Sequence, residues 1–480
     1  MPENPLQQQQ RLQKTKPEER VTPYQQLYAL RENPFPSLAL FTQSANDPRR
    51  NGTIYDTAFR QGEERRFFQM FLQPSPGDKR LELGFIRLDL QAGGRGNGKS
   101  VFLHHLMRRI NLKEWQNWPT NPDDPNLFAL AVHVLPEPRR QKKFWQFICL
   151  IFETLVNDEI SKDVNVQIKS AILLSLLKEE QISVLAALPA DDFREALLSL
   201  EKFQQLLKNN GVTYQAFQEE LGRQVKAIFP TGVNEEFLEI FLSAGGDLGS
   251  LWIELKDYSD YQWRNKGVDW FLNGLIPVFI VAGYKHFYVL LDEFEKIYMY
   301  QNNRERDEFL DDLRQYFYER PSAAVSRQYI STVLTIHPSI DRFLAVNWQR
   351  VGLDYLAPLK PGQIEQRSVM LGASTLESLA HLLVTYLDYF RIGDEHKGTI
   401  YPFEADALEP ALIAARLYPR GALWYVHAII QKAAGENTSP PISRKFVEDF
   451  VQSGQKPPLE EDDALFQLPS STTDLQAPST

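Results

Sequence analysis

A glycine-rich segment carries the residue types that phosphate binding requires. Residues 93–100 read GGRGNGKS and match the pattern G-x-x-x-x-G-K-[ST] at every fixed position. Glycines let a backbone wrap closely around phosphates with its N–H groups pointing inward, and a serine hydroxyl is a ligand for Mg²⁺. We therefore predict that Lys99 reaches the β- and γ-phosphates of a nucleotide and that Ser100 ligates Mg²⁺.

The predicted nucleotide contacts extend over the whole glycine-rich loop and into the helix that follows it. The N-terminal dipole of that helix favours the negative charge of phosphates. The full set of predicted nucleotide-binding residues in this segment is Gly93, Gly94, Arg95, Gly96, Asn97, Gly98, Lys99, Ser100 and Val101.

A second candidate site lies where an apolar segment ends in two acids, Asp292 and Glu293, which we call the acid pair. Residues 287–291 before it read FYVLL. A buried strand that ends in an acid places that acid at the carboxyl edge of a sheet, where ligands bind in open α/β sheets. We predict that Asp292 holds Mg²⁺ through water. Glu293 would polarise the attacking water, which favours hydrolysis over transfer to a substrate.

The elements that must position these residues alternate between strands and helices. Residues 161–268 are rich in Leu, Glu, Lys and Gln at helical spacing, and we predict that they form a helical insertion, called the insertion below. Helices are predicted to fill 362–452. Strands are predicted in 83–90, 127–135, 286–298 and 328–339, with a short further segment at 353–361.

Composition limits the classes of protein to which this chain can belong. The 480 residues are 43% hydrophobic and 24% charged, which excludes a largely disordered or collagenous chain. The single cysteine, Cys149, excludes a disulfide framework and a cysteine-rich zinc module. The net charge of −10 gives no overall electrostatic footprint for nucleic acid, although EPRRQKKFW at 137–145 is locally basic. The first 20 residues lack the apolar core of a secretory signal, and we expect a cytoplasmic protein without a membrane span.

Three segments resemble a known group of nucleotide-binding proteins. They are GNGKSVFLHHL at 96–106, AGYKHFYVLLDEFEKI at 282–297 and YPRGAL at 418–423. Their order resembles that of the AAA+ ATPases and their STAND-type signal-transduction relatives. It is most similar to the origin-recognition-complex-like clade, and it also resembles the P-loop ATPases of bacterial phage-exclusion systems. The resemblance covers about 55–155 and 268–435.

This resemblance implies an α/β fold, namely an AAA+-like P-loop NTPase with a parallel sheet, flanking helices, a long helical insertion and a C-terminal helical lid. It also implies a polar sensor residue at the end of the strand after the acid pair, and both Thr335 and His337 fit that place. Arg420 matches a second sensor arginine in the lid, and Arg416 is an alternative one turn earlier.

The resemblance further implies an arginine that completes the site of a neighbouring subunit. Arg350 and Arg342 both follow the sensor strand, and Arg350 is the better candidate. Arg60 is a weak candidate near an adenine pocket. Self-association through the ATPase domain follows from this expectation.

From these features we predict six regions and a function. The function is binding and hydrolysis of MgATP, coupled to assembly or remodelling of a larger complex that serves phage defence or transposition and that includes DNA or RNA. The alternative is a nucleotide-gated switch with slow hydrolysis that recruits a protein partner through the insertion. The regions are a disordered arm (1–22), two parts of an ATPase domain (23–160 and 269–361), the insertion (161–268), a helical lid (362–453) and an acidic disordered tail (454–480).

Overall fold

The computed structural model describes ten segments of the chain, and every structural statement below refers to them. The predicted arm and the predicted acidic tail lie almost entirely outside these segments, as do residues 89–95. For 158, 159 and 341–343 only the backbone is described. The segments are 22–38, 40–42, 46–73, 79–88, 96–112, 128–156, 158–229, 232–319, 329–337 and 341–455.

The chain divides into two compact units. One, which we call the helical unit, comprises Met1–Gln61, Asp89–Val101 and Gly372–Thr480. The other, which we call the sheet unit, comprises Gly62–Leu88 and Phe102–Leu371. Each unit is described by itself.

The sheet unit contains a five-stranded sheet in which all pairings are parallel. Almost every strand residue is buried, as expected where helices cover both faces of a parallel sheet. This architecture confirms the predicted α/β fold class. The strands are β1 (Leu83–Leu88), β2 (Ala129–Val134), β3 (His286–Leu291), β4 (Ile330–Ile336) and β5 (Ser368–Leu371), in the order β2-β3-β4-β1-β5.

The strand order brings the ends of distant segments to one edge of the sheet. Strand β4 lies between β3 and β1, and the pairing of β3 with β4 sets Leu291 opposite Leu334. The residue after each of these, Asp292 and Thr335, therefore lies at the carboxyl edge. The glycine-rich loop follows β1, whose carboxyl end points the same way because the strands are parallel.

Helices make up most of the remaining described chain. None of them, within the described segments, has both the length and the apolar composition that a membrane span demands. Three π-helical turns, at Phe68–Leu72, Trp270–Leu275 and Gln315–Glu319, extend α-helices, and short 3₁₀ turns occur at Leu353–Tyr355 and Ile364–Arg367. The α-helices are α1 (Pro23–Tyr28), α2 (Gln61–Phe67), α3 (Lys99–Leu112), α4 (Phe144–Leu155), α5 (Asp158–Leu176), α6 (Glu179–Ala186), α7 (Ala190–Leu198), α8 (Leu200–Asn209), α9 (Tyr214–Ile228), α10 (Glu235–Ser243), α11 (Leu248–Leu255), α12 (Asp260–Asp269), α13 (Ile276–Val281), α14 (Glu295–Tyr298), α15 (Asn303–Arg314), α16 (Asp341–Arg350), α17 (Leu376–Phe390), α18 (Glu409–Ala414), α19 (Pro419–Gly435) and α20 (Arg444–Gln452).

The insertion is helical, as predicted, and consists of α5 to α12. Its last five helices, α8 to α12, begin where a short polar side chain accepts a bond from a free N–H group of the first turn. Aromatic side chains fill its junction with α4, since the Phe152 and Trp263 rings lie 5.4 Å apart and the Trp263 and Trp270 rings 5.5 Å apart. The capping residues are Ser199, Thr213, Asn234, Asp247 and Ser259.

The helical unit combines α17 to α20 with the N-terminal residues up to Gln61. Tyr28 and Phe35 are buried in the same core as Leu383 and Ile429. The Asn33 amide donates to the His427 carbonyl at 3.1 Å. The prediction assigned 23–61 to the ATPase domain with β1, but these residues belong to the core of the C-terminal helices. Their apolar side chains pack against residues more than 300 positions later in the sequence. Local sequence patterns do not reveal contacts over such a separation.

The fifth strand corrects the prediction that only helices follow residue 362. The segment at 353–361 begins with a 3₁₀ turn, and β5 lies at Ser368–Leu371. A four-residue strand shows no clear periodicity, and it is a strand here because it pairs with β1. The sheet unit consequently extends to Leu371, beyond the predicted start of the lid at 362.

Candidate functional site

The described end of the glycine-rich loop has the backbone conformation that its glycines allow. Gly96 and Gly98 have φ angles of +100° and +80°, in the left-handed region that other residues rarely adopt. Lys99 begins α3 and Ser100 and Val101 follow it in the first turn, so the strand–loop–helix context of the motif is present. Gly93, Gly94 and Arg95 lie outside the described segments.

Arg420 lies against this loop within the helical unit. Its backbone N–H donates to the Gly96 carbonyl at 3.2 Å. A Cβ atom added to Gly96 would lie only 2.9 Å from the Arg420 Cβ, so only glycine fits this approach. The structure therefore brings together two residues that sequence analysis predicted for one site. Arg416, the alternative, is exposed, with a φ angle of +53°.

Asp292 is a fully buried carboxylate held by defined hydrogen bonds. The Thr335 hydroxyl donates to Asp292 Oδ1 at 2.8 Å, and the Glu293 backbone N–H donates to the same oxygen at 2.9 Å. The Asp292 backbone N–H donates to the Val134 carbonyl at 2.9 Å, which extends the hydrogen-bond ladder between β3 and β2. Because several donors fix this side chain, its orientation is set before any ligand arrives.

His133 is a residue of this site that sequence analysis missed. Its Nε2 lies 3.6 Å from Asp292 Oδ2, and both side chains are fully buried. The His104 ring of α3 lies 6.1 Å from the His133 ring. Burial, and then the charges of His133, Arg108 and His105, lower the pKa of His104 to about 3, so His104 is neutral at pH 7. The sequence feature that could have revealed His133 is its place as the single polar residue in the apolar segment LFALAVHVL.

His104 and its neighbour His105 point in different directions, as their helical spacing predicts. His105 Nε2 lies 2.9 Å from Glu64 Oε1, and Arg109 Nη1 lies 3.1 Å from Glu64 Oε2. Within the described segments, no cluster of three or more His, Cys, Asp or Glu side chains could hold a metal ion.

Glu293 has a strained backbone at the predicted catalytic position. Its φ angle is +45°, which is uncommon for a residue with a side chain. Its N–H donates to Thr335 Oγ1 at 2.6 Å as well as to Asp292, and these bonds hold the turn. Its half-buried carboxylate forms an ion pair with Lys296. Strain maintained by surrounding hydrogen bonds is typical of functional sites.

The two sensor candidates, Thr335 and His337, differ in burial, and which of them acts as a sensor stays a prediction. The Thr335 side chain is fully buried, and its hydroxyl donates to Asp292 while accepting from the Glu293 N–H. His337 follows the end of β4 and is half-buried. The Thr335 hydroxyl therefore caps the turn that follows β3 and holds the conformation of the acid pair.

We expect Thr335→Val to destabilise the protein by about 1–3 kcal/mol, because it removes the two hydrogen bonds that the buried hydroxyl makes, to Asp292 and to the Glu293 N–H. Thr335→Ser keeps the hydroxyl and serves as the matched control. The free energy of unfolding from urea denaturation measures both variants. Equal stability of Thr335→Val and the parent would contradict a role for this hydroxyl in holding the acid pair.

Arg350 is the last residue of α16 and is accessible from outside the unit. Its side chain is 52% exposed, and Nη1 pairs with Asp307 Oδ2 at 3.1 Å. A surface pair of this kind contributes only about 0–1 kcal/mol, so Arg350 can exchange Asp307 for another anion. The side chain of Arg342 is not described. A role of either arginine in a neighbouring subunit stays a prediction.

Two of the four basic residues in the stretch after β2 form ion pairs with carboxylates. Arg140 pairs with Glu137 at 3.0 Å, and Lys143 pairs with Glu308 at 2.8 Å. The Arg139 guanidinium lies 5.2 Å from the centre of the Tyr300 ring. Exposed pairs of this kind are weak, so these cations can exchange their carboxylates for phosphate groups, and a nucleic-acid contact at this stretch stays a prediction.

The donor groups at the predicted metal positions suit Mg²⁺. Mg²⁺ takes oxygen ligands and usually keeps several waters, with one or two carboxylates and substrate phosphates. Asp292 offers a carboxylate with a fixed orientation, and Ser100 offers a hydroxyl in the first turn of α3. The chemistry of these two donors therefore fits the predicted metal.

Comparisons with known proteins give one structural likeness. No protein-family model matches the sequence, and no curated protein matches it at a significant level. The structure of the Aeropyrum pernix ORC2 protein in ADPNP–ADP complexes is similar to this chain with a TM-score of 0.40 and 10% sequence identity. That alignment covers 91% of this chain and 75% of the ORC2 chain.

Proposed function

We propose that this protein is an AAA+-like P-loop ATPase that binds MgATP and hydrolyses it. The observation that carries the proposal is the buried, hydrogen-bonded Asp292 at the carboxyl edge of the sheet, where β1 also ends, together with the glycine-rich motif that follows β1 in the sequence. Lys99 and the loop N–H groups bind the phosphates, and Ser100 and Asp292 hold Mg²⁺. Arg420, beside Gly96, is the candidate for a second contact to the terminal phosphate.

In this proposal the acid pair divides the work of hydrolysis. When bound, Mg²⁺ supplies positive charge that stabilises the phosphate oxygens during transfer. Glu293 orients a water molecule and accepts its proton as the water oxygen attacks the γ-phosphorus and ADP leaves. The Glu293 carboxylate must first leave its ion pair with Lys296, which costs little because both side chains are partly exposed.

The biological role is a further proposal, and it includes phage defence or transposition as the resemblance suggests. We propose a cytoplasmic ATPase that self-associates and drives assembly or remodelling of a larger complex, with DNA or RNA as a component. The basic stretch at 139–143, in which two of the four cations form exposed ion pairs, is the candidate surface for this nucleic-acid component.

A second candidate function is a nucleotide-gated switch that recruits a protein partner through the insertion. The insertion carries exposed apolar side chains that offer contacts to a protein partner. They include Val184, which is 67% exposed, and Tyr261, which is 76% exposed. Hydrolysis in this case is slow and only resets the switch.

Turnover measured together with particle size separates the two candidates. The purified protein is assayed for ATP hydrolysis with and without Mg²⁺, DNA and RNA, while light scattering follows its mass. Mg²⁺-dependent turnover that rises with nucleic acid supports the assembly ATPase. Tight ATP binding, little turnover and a change in mass support the switch. Absence of ATP binding would overturn both.

A further inference from the structure

A buried arginine contacts the glycine-rich loop from within the helical unit. The Arg60 side chain is only 4% exposed, although it carries a full charge. Its Nη2 donates to the Asn97 carbonyl at 3.3 Å and its Nη1 to the Gly372 carbonyl at 3.0 Å. The guanidinium also lies 4.7 Å from the centre of the Phe59 ring. Burial of a charge is costly unless partners compensate for it. The two carbonyl acceptors and the aromatic ring provide that compensation and fix the guanidinium in place.

The partners of Arg60 explain what this position does for the loop. A phosphate-binding loop must turn its N–H groups toward the anion and its carbonyl oxygens away from it. The Gly96 carbonyl accepts from the Arg420 N–H, and the next carbonyl, that of Asn97, accepts from Arg60. Both carbonyls of this turn are therefore held by donors from other segments of the helical unit.

We infer that Arg60 is a positioning residue for the phosphate-binding loop. It fixes the Asn97 carbonyl and connects it to Gly372, the first residue after β5. The inference rests on the proposed ATP binding and gives Arg60 a role other than the adenine contact implied by the resemblance. Arginine is required because its planar guanidinium reaches two acceptors in fixed geometry, whereas a lysine ammonium does not.

Substitution of Arg60 tests this role through nucleotide affinity. We expect Arg60→Lys to weaken binding of a fluorescent ATP analogue about tenfold, as for loss of a charge-assisted hydrogen bond that orders the site. The turnover number at saturating ATP should stay within about twofold, because Arg60 does not touch the reacting atoms. Hydrogen exchange of the nucleotide-free protein should show faster exchange in the peptide that contains 96–101.

Arg391 provides the matched control in the same unit. Its side chain is 3% exposed, and it donates to Asp388 Oδ1 at 2.9 Å and to the Thr399 carbonyl at 2.7 Å. Arg391→Lys should lower thermal stability to a similar extent as Arg60→Lys. Its nucleotide affinity and the hydrogen exchange of residues 96–101 should stay as in the parent protein.

The outcomes separate the inference from the proposed function. If the parent protein does not bind the ATP analogue, the proposed function fails, and the exchange of 96–101 still decides the role of Arg60. If the parent binds, and Arg60→Lys matches it in affinity and in loop exchange, the inference is overturned. An equal loss of affinity in Arg391→Lys would also overturn it, since the effect would then be general destabilisation.

Discussion

Glu293→Gln is expected to abolish ATP turnover while nucleotide binding is retained. Glutamine has almost the same shape as glutamate but cannot accept a proton from the attacking water. Loss of a general base typically lowers the rate about 10²- to 10⁴-fold. The backbone N–H bonds that hold the turn, to Asp292 and Thr335, do not involve the side chain and should remain. The variant should therefore trap MgATP on a folded protein.

Single-turnover hydrolysis and binding of a fluorescent ATP analogue measure these two effects separately. Glu308→Gln is the matched control, because Glu308 also pairs with cations, Lys143 at 2.8 Å and Arg304 at 2.7 Å, away from the acid pair. Loss of the Lys296 pair should cost less than about 1 kcal/mol of stability. Hydrolysis by Glu293→Gln at the parent rate would show that Glu293 is not the base.

The glycine-rich loop and the acid pair could be predicted because their chemistry depends on adjacent residues. A phosphate-binding turn needs glycine at fixed offsets, and Gly96 and Gly98 have the positive φ angles that explain this need. An apolar strand that ends in acids is likewise visible locally, and β3 ends at Leu291 as the sequence indicates. Local patterns therefore reveal both candidate sites and the α/β class.

The contacts that orient the acid pair could not be predicted, because they depend on strand order. His133 reaches Asp292 only because β2 pairs with β3. The place of Thr335 beside the acid pair follows from the register of β4 against β3, which sets Leu334 opposite Leu291. Sequence spacing within one segment contains no information about either pairing.

The division of the chain was also hidden from local patterns. Strand β5 is four residues long, and its parallel pairing with β1 determines its conformation more than its own residues do. Similarly, the segment that includes Tyr28 and Phe35 has apolar residues without a clear period. Its assignment to the helical unit depends on a core formed by α17 and α19.

Lys99→Ala is expected to remove ATP binding without destabilising the protein. Lys99 is the first residue of α3, where the helix dipole disfavours a positive charge by about 0.3–1 kcal/mol. Alanine is also the best helix former. The nucleotide-free variant should therefore be as stable as the parent or slightly more stable. In the proposed function, the phosphate that Lys99 binds explains a lysine at this unfavourable end of a helix.

Thermal unfolding with and without MgATP measures both parts of this prediction. Ligand binding stabilises the folded state by about 2.7 kcal/mol at a concentration 100 times the Kd, and an approximately 100-fold weaker affinity leaves about 0.4 kcal/mol. Arg108→Ala, in the same helix but distant from its first turn, is the control and should keep the full stabilisation by MgATP. If Lys99→Ala is stabilised by MgATP as much as the parent is, Lys99 does not bind the phosphates. If Lys99→Ala instead unfolds at a lower temperature than the parent without nucleotide, the Lys99 charge stabilises the fold, and the helix dipole argument is wrong.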